Sequence, residues 1–342
     1  MIMGLDLKPL ITPAYIKLTD LSNRTIAVDA FNTIYQFLAT IRGSTGELLT
    51  NSKGEVTSHL SGLFYRNINL LAENIKLVYV FDGKPSHLKF NEIERRQQVK
   101  QVATEKFEEA LTEGRFDDAR KYGQATSVLT DKMVMESKML LSFLGIPTIQ
   151  APSEGEATAA HLSNTDQAYT CASQDYDSIL FGAKRLTRNL TISGKRKVPN
   201  KNAYIDVVPE IFYFEDIVVQ THLTRAQLID IGILIGTDFN PGGIHGIGPK
   251  TALKLIQKYT KLENIDNIKE ELSRIPYDQI RELFLRPKVS DIQNIESNPI
   301  NYDKVTDLLC NRMDFSVERV NGALQKLKNS IDNRSQSLER WF

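Results

Sequence analysis

Short apolar runs that stop at an acidic residue recur along the chain. Ala27-Val28-Asp29 and Val80-Phe81-Asp82 are the clearest, and Glu154-Gly155-Glu156, Asp175-Tyr176-Asp177 and Gly236-Thr237-Asp238 repeat the theme. Strand-like runs at residues 25–29, 76–82, 148–150, 168–172 and 178–181 alternate with helical patterns from Asn32 and at 58–74, 130–144 and 154–163. This rhythm predicts an α/β fold with a mostly parallel central sheet flanked by helices. Right-handed crossovers make such sheets parallel, and ligands then gather at the carboxyl ends of the strands. Asp29, Asp82 and Asp175 fall at those ends.

The remaining organisation follows from polarity. Residues 83–130 form a long, heavily charged helical insertion with a weak apolar stripe. From 223 to 330 the pattern is helical, and 331–342 reads as a flexible tail on a single domain spanning 1–330. No apolar run is long enough to span a bilayer and the first residues lack a signal-peptide pattern, so a protein without a membrane partner, intracellular and cytoplasmic, is expected. Cys171 and Cys310 are too few for a disulfide framework.

The 42 basic and 42 acidic residues give no net charge, yet their distribution is uneven. Residues 184–201 carry Lys184, Arg185, Arg188, Lys195, Arg196, Lys197 and Lys201 with no acid. Such a ribbon suits a phosphate backbone; its alternation and Ser193-Gly194 suggest a hairpin, for which a lysine-protected sheet edge is the plainer alternative.

Carboxylates drawn from distant segments repel one another unless hard cations neutralise them. Asp29, Asp82, Glu154, Glu156, Asp175, Asp177 and Asp238 therefore suggest a metal edge. Asp175 and Asp177, two apart on an extended segment, would project to one side. Four of them have a plainer role available: Asp29 as a helix cap, Asp82-Gly83 as a turn, Ser153 with Glu156 as a capping box, and Asp238 as a loop closure. With oxygen donors and scattered histidines, Mg²⁺ or Mn²⁺ fits better than zinc. Two such ions suit phosphodiester hydrolysis. Lys89 and Arg96, seven apart on a helix, would share a face and stabilise a phosphate if that helix leans over the metals.

Residues 242–252, GGIHGIGPKTA, form a glycine-rich turn into a helix. Gly246 and Gly248 let the backbone approach a phosphate, Pro249 suits a first helical turn, and Lys250 faces the anion. The GIGPK core is similar to the helix-hairpin-helix element of DNA-processing proteins, which grips backbone rather than bases.

The segments VDAFNTIYQFL, VFDGKPSHLK, APSEGEA, SQDYDSILFG, RNLTISGKRK and GTDFNPGGIHGIGPKTALKLI, in this order, resemble the flap endonuclease branch of the XPG-type structure-specific nucleases, of archaeal type. The resemblance runs from about Gly4 to the last residue. It implies that the seven carboxylates hold two divalent ions and that Lys89 and Arg96, at the base of a helical arch formed by 83–130, act on the phosphate. Tyr35 would stack on a base near the cut, and the glycine-rich turn would grip uncut duplex, with a monovalent cation assisting. Flapped or branched DNA is the implied substrate, with a 5′ to 3′ exonuclease activity besides.

The end of the chain resembles a peptide that docks on the replication sliding clamp, with Leu338, Trp341 and Phe342 as its hydrophobic plug. In the position where that pattern has glutamine stands Ser335, with Gln336 one step late. A related 5′ exonuclease or junction resolvase would share the metal site. A non-catalytic scaffold bridging clamp and DNA is the rival of another class, but seven carboxylates without metal would repel DNA.

Overall fold

The computed structural model describes residues 5–192, 195–197, 204–290, 292 and 294–339. Its strands are β1 (Ala14–Tyr15), β2 (Thr25–Asp29), β3 (Lys76–Phe81), β4 (Thr148–Gln150), β5 (Thr170–Ala172), β6 (Arg185–Arg188), β7 (Lys195–Lys197), β8 (Tyr204–Asp206) and β9 (Glu210–Tyr213). The helices that position the site are α1 (Ala30–Thr40), α2 (Ser58–Ala72), α3 (Phe90–Thr112), α4 (Phe116–Gly123), α5 (Asp131–Phe143), α6 (Gly155–Asn164), α7 (Asp177–Leu180), α8 (Phe214–Thr221), α9 (Arg225–Ile235) and α10 (Pro249–Tyr259). Beyond them lie α11 (Lys269–Leu272), α12 (Tyr277–Leu285), α13 (Tyr302–Thr306) and α14 (Val317–Glu339).

Seven strands form one sheet in the order β1-β9-β6-β5-β2-β3-β4. From β6 to β4 every neighbouring pair is parallel, whereas β9 runs antiparallel to β6 and β1 antiparallel to β9. The expected mostly parallel sheet is thus present, with an antiparallel margin that composition did not betray. Strand order reverses at β2: the chain goes outward to β3 and β4, then returns to place β5 on the other side. A crevice opens beyond the carboxyl ends of strands at such a reversal.

Alternation of side chains on β2 and β3 explains the two hydrophobic layers. Ile26, Val28, Leu77, Tyr79 and Phe81 face α1, α2, α5 and α14, while Ala27, Val78 and Val80 face α6, α9 and α10. Fully buried aliphatic side chains of this kind contribute about 1.5–3 kcal/mol each. Tyr79 is the polar exception in its layer, and its hydroxyl donates to Asn67 Oδ1 at 2.9 Å.

Four local expectations need correction. Residues 178–181 are helical, in α7, because a short apolar run buried on all sides carries no period that separates strand from helix. Asp175 and Asp177 consequently do not share an extended segment: the first lies in a bend and the second opens α7. The basic stretch 184–201 is divided, since Arg185–Arg188 is built into the main sheet and Lys195–Lys197 pairs instead with Tyr204–Asp206. Ser193 and Gly194 themselves lie outside the described residues.

The stretch from 331, expected as a flexible tail, continues α14 as far as Glu339. Ile331 packs on the α2 layer, and Ser330 Oγ and Arg334 Nη1 both donate to the Ala72 carbonyl at 2.7 Å, capping the end of α2. Within 83–130 two helices, α3 and α4, meet at Gly114 (φ 70°).

Replacing Tyr79 by Phe keeps the shape of the layer but strands the Asn67 amide. Chemical denaturation should show a loss of about 1–2 kcal/mol; an unchanged midpoint and slope would mean that the bond contributes nothing.

Candidate active site

The reversal at β2 fixes the first carboxylate. Asp29 ends the strand and caps α1, its Oδ1 accepting the Asn32 N–H at 3.0 Å. The Asn32 side chain then bridges strands: Nδ2 donates to Asp175 Oδ2 at 2.8 Å and Oδ1 accepts the Gln174 N–H at 3.1 Å. Capping and clustering are therefore one arrangement for Asp29, not alternatives.

Asp82, one residue past β3, accepts the Gly155 N–H at 2.6 Å. A Cβ on Gly155 would stand 2.6 Å from Asp82 Oδ1, so only glycine lets the start of α6 come this close. The N-cap of α6 is Glu154, whose side chain does not cap, and the Ser153 capping box does not form. Glu156 instead accepts from the Ser178 N–H at 2.9 Å and from its hydroxyl at 2.5 Å. Loop closure after α9 is performed by Asn240, which accepts from Thr237 Oγ1 at 2.7 Å and donates to the Ile233 carbonyl at 2.7 Å. Asp238 is left free for other partners.

Those partners come from the insertion. Lys89 Nζ pairs with Glu154 and lies 3.3 Å from Asp238 Oδ2, while Arg96 donates to Asp238 Oδ1 at 2.5 Å and to Glu92 Oε1 at 2.7 Å. The expected leaning of this helix onto the carboxylates is what the structure has. Glu92, only 3% exposed, also holds Arg95 and so anchors both guanidiniums at the root of α3.

Burial, together with the charge of Asp82, pushes the Asp29 carboxyl up to about 8. Burial and Glu154 raise Asp82 to about 6, and burial and Asp238 raise Asp175 to about 6. Glu156 and Asp177 are likewise held well above the ordinary carboxylate range by burial and by neighbouring acids, Asp177 foremost for Glu156 and Asp238 foremost for Asp177. Burial opposes the charge on Lys89, but Glu154 and Asp238 outweigh it and keep the ammonium protonated. Each carboxylate thus destabilises the charge of the next, and two lysine and arginine cations do not offset all of it.

The donor set is oxygen only and holds unmet capacity: Glu154 Oε1 and Asp177 Oδ1 are buried without a hydrogen-bond partner. Among the described residues no three acidic, histidine or cysteine side chains form a ready cage as they stand. An oxygen-only donor set with unmet capacity fits hard divalent cations.

The other expected residues lie around this edge. Tyr35 is half-buried on α1, with Lys100 Nζ 4.8 Å from its ring centre, and burial raises its hydroxyl's pKa. Gly246 has φ 76° and open space beside it, Gly248 is the N-cap of α10 with Pro249 in its first turn, and Lys250 is exposed. Lys195, Arg196 and Lys197 form β7, whose side chains are outside the described residues, and Leu338 falls in α14. Trp341 and Phe342 lie outside the described residues.

Sequence reasoning missed Asn32, Glu92 and Gly155. The i,i+4 spacing of Glu92 and Arg96 was a usable signal; the bridging role of Asn32 joins segments 143 positions apart and had none.

Residues 3–103 match the XPG N-terminal domain and residues 145–238 the XPG I-region. Flap endonuclease 1 of Nitrosopumilus maritimus is 56% identical over 340 residues, covering 99% of this chain and 100% of that protein. The solved flap endonuclease-1 from Methanococcus jannaschii has a TM-score of 0.74 at 36% identity, covering 97% of this chain and 100% of that one. The catalytic core of Rad2 in complex with DNA substrate shares the fold, with a TM-score of 0.69 at 24% identity over 92% of this chain and 96% of that one. Fold and site define the class as the XPG-type nucleases. Within it, the chain belongs to the flap endonuclease family, whose members hydrolyse DNA.

Because cations relieve the repulsion only in the folded state, binding should stabilise the protein. Calorimetry should show a melting temperature several degrees higher in millimolar Mg²⁺ or Mn²⁺ than in EDTA, with the difference lost in Asp175→Asn. Equal melting in both buffers would rule out a cation site.

Proposed function

We propose that the chain is a Mg²⁺-dependent, structure-specific 5′ flap endonuclease that cuts at the junction of single strand and duplex, in lagging-strand maturation and repair. Carrying this reading is the convergence of seven carboxylates from five segments on one sheet edge, faced by Lys89 and Arg96. Asp29, Asp82, Glu154, Glu156, Asp175, Asp177 and Asp238 would hold two ions, with Mn²⁺ able to substitute. Bound there, the ions supply an activated water and charge stabilisation for an in-line displacement.

The chain's own groups do the rest. Lys89 and Arg96 leave their carboxylate partners for the scissile phosphate, and Glu92 holds the Arg96 guanidinium in position as they do. Tyr35, half-buried on α1, would stack on the base beside the bond. Farther out, the exposed Gly246–Lys250 turn at the start of α10 suits a duplex backbone phosphate, with a monovalent cation between them, and the β7–β8 hairpin offers Lys195, Arg196 and Lys197 to the same duplex. A 5′ to 3′ exonuclease activity would use the same edge.

Asp82→Ala and Asp175→Ala should each abolish cutting of a labelled 5′ flap while the DNA still binds in a gel-shift assay. Lys89→Ala and Arg96→Ala should lower kcat by about 10²-fold or more with little change in binding, the mark of groups acting in the transition state. Cutting at the wild-type rate by both aspartate variants would refute the assignment.

The sliding clamp is the proposed protein partner, through Leu338, Trp341 and Phe342. Deleting residues 335–342 should leave cutting of naked flaps intact and remove both clamp stimulation and clamp binding measured by calorimetry, while in the full-length protein clamp titration should shift the fluorescence of Trp341, the chain's one tryptophan. Unaltered clamp affinity in the truncated protein would place the partnership on another surface.

A further inference from the structure

Three carboxylates of the edge share one pattern. Asp82 Oδ1 accepts the Gly155 N–H at 2.6 Å, Glu156 Oε1 accepts the Ser178 N–H at 2.9 Å and its hydroxyl at 2.5 Å, and Asp175 Oδ2 accepts from Asn32 Nδ2 at 2.8 Å. All three side chains are only partly buried. Their second oxygens, Asp82 Oδ2, Glu156 Oε2 and Asp175 Oδ1, are neither bonded by the described residues nor sealed from solvent. Each carboxylate thus turns one committed oxygen toward the protein and one free oxygen outward.

Asp175 is held differently from the other two. Backbone amides at the starts of α6 and α7 fix Asp82 and Glu156, whereas Asp175 lies in a bend and depends on a side chain. Asn32 is well suited to the task because its own amide is fixed: Oδ1 accepts the Gln174 N–H at 3.1 Å while the Asn32 backbone N–H donates to Asp29 Oδ1 at 3.0 Å. Turning the amide over would set its oxygen against the Asp175 carboxylate and its NH₂ against the Gln174 N–H, so both bonds would be lost together. One orientation is therefore enforced.

The number of oxygens a carboxylate can offer bears on which ion it suits. Ca²⁺ takes about six to eight oxygen ligands and accepts both oxygens of one carboxylate, whereas the smaller Mg²⁺ demands octahedral geometry and takes carboxylates one oxygen at a time. A carboxylate with one oxygen already bonded to a fixed donor favours the second case. We propose that Asn32 is a positioning residue for ion selectivity: by holding Asp175 Oδ2 it leaves that side chain a single outward oxygen, and so biases the edge toward small octahedral dications over Ca²⁺. The inference rests on the reading that these carboxylates hold divalent ions, and it adds the side chain that decides between them.

The test uses the full-length protein without DNA, with Mg²⁺ and Ca²⁺ as separate probes and the rise in melting temperature against ion concentration giving a Kd for each. Asn32→Leu, close in shape but unable to hold either partner, should weaken Mg²⁺ about tenfold and leave Ca²⁺ unchanged or tighter, so that the ratio of the two constants moves by about tenfold or more. Melting in EDTA checks that the variant folds. Ser178→Ala keeps the N–H bond to Glu156 Oε1 and removes the hydroxyl one; it should move the ratio the same way by about threefold, and it decides the matter if Asn32→Leu does not fold. Equal weakening of both ions would mean that Asn32 only supports the structure and would overturn the proposal while leaving the metal reading intact. Stabilisation of the wild type by neither ion would instead remove the metal reading, and this inference with it.

Discussion

Mutual repulsion among buried carboxylates is the constraint on which the rest of this structure depends. Asp29, Asp82, Glu156, Asp175 and Asp177 all have their ionised forms disfavoured, by burial first and by one another second. A hydrophobic scaffold on both faces of the sheet bears that cost, and backbone amides and the Asn32 side chain hold individual oxygens in place. Lys89 and Arg96 reach in from the insertion and supply positive charge where the cluster most needs it. Strain of this sort is typical of sites whose chemistry demands charge density.

The insertion is correspondingly polar for a physical reason. Along α3 the buried positions are Glu92, Ala103 and Ala110, too small or too polar to form a core of their own. Its root is fixed by ion pairs rather than by packing, and its far end is tied to the loop around Gly46 by Arg120 on the Ser44 carbonyl at 2.5 Å and by Arg42, which donates to Ser127 Oγ at 2.9 Å. Ion pairs and exposed hydrogen bonds are a weaker tether than a hydrophobic layer, so this element is poised to rearrange before the sheet does.

Much of this was legible in the sequence. Apolar runs ending in acid located β2 and β3 and the residues at their ends, and the motif resemblance connected the later segments. Periodicity failed at Ile179-Leu180-Phe181, where burial on every side erases the difference between strand and helix; at Arg185–Arg188 the alternation marked extended chain but not its place in the main sheet, with Leu186 and Thr187 in the core. The helical course of 331–339 was hidden because its partners, the carbonyl of Ala72 and the end of α2, are more than 250 positions away in the chain. Asn32 and Gly155 owe their roles to contacts across the sheet, which no local pattern announces.

The spread of the carboxylates along the chain has a consequence for biosynthesis. Asp29 is made early, yet its edge is incomplete until Asp238 has emerged and α9 has packed beneath the sheet. Lys89 and Arg96 likewise find Asp238 only then. A nascent chain on the ribosome, or a fragment broken off before residue 238, carries most of the acidic residues without their arrangement. A copy that ends before residue 238 thus lacks the last carboxylate of the edge and the Asp238 contacts of Lys89 and Arg96.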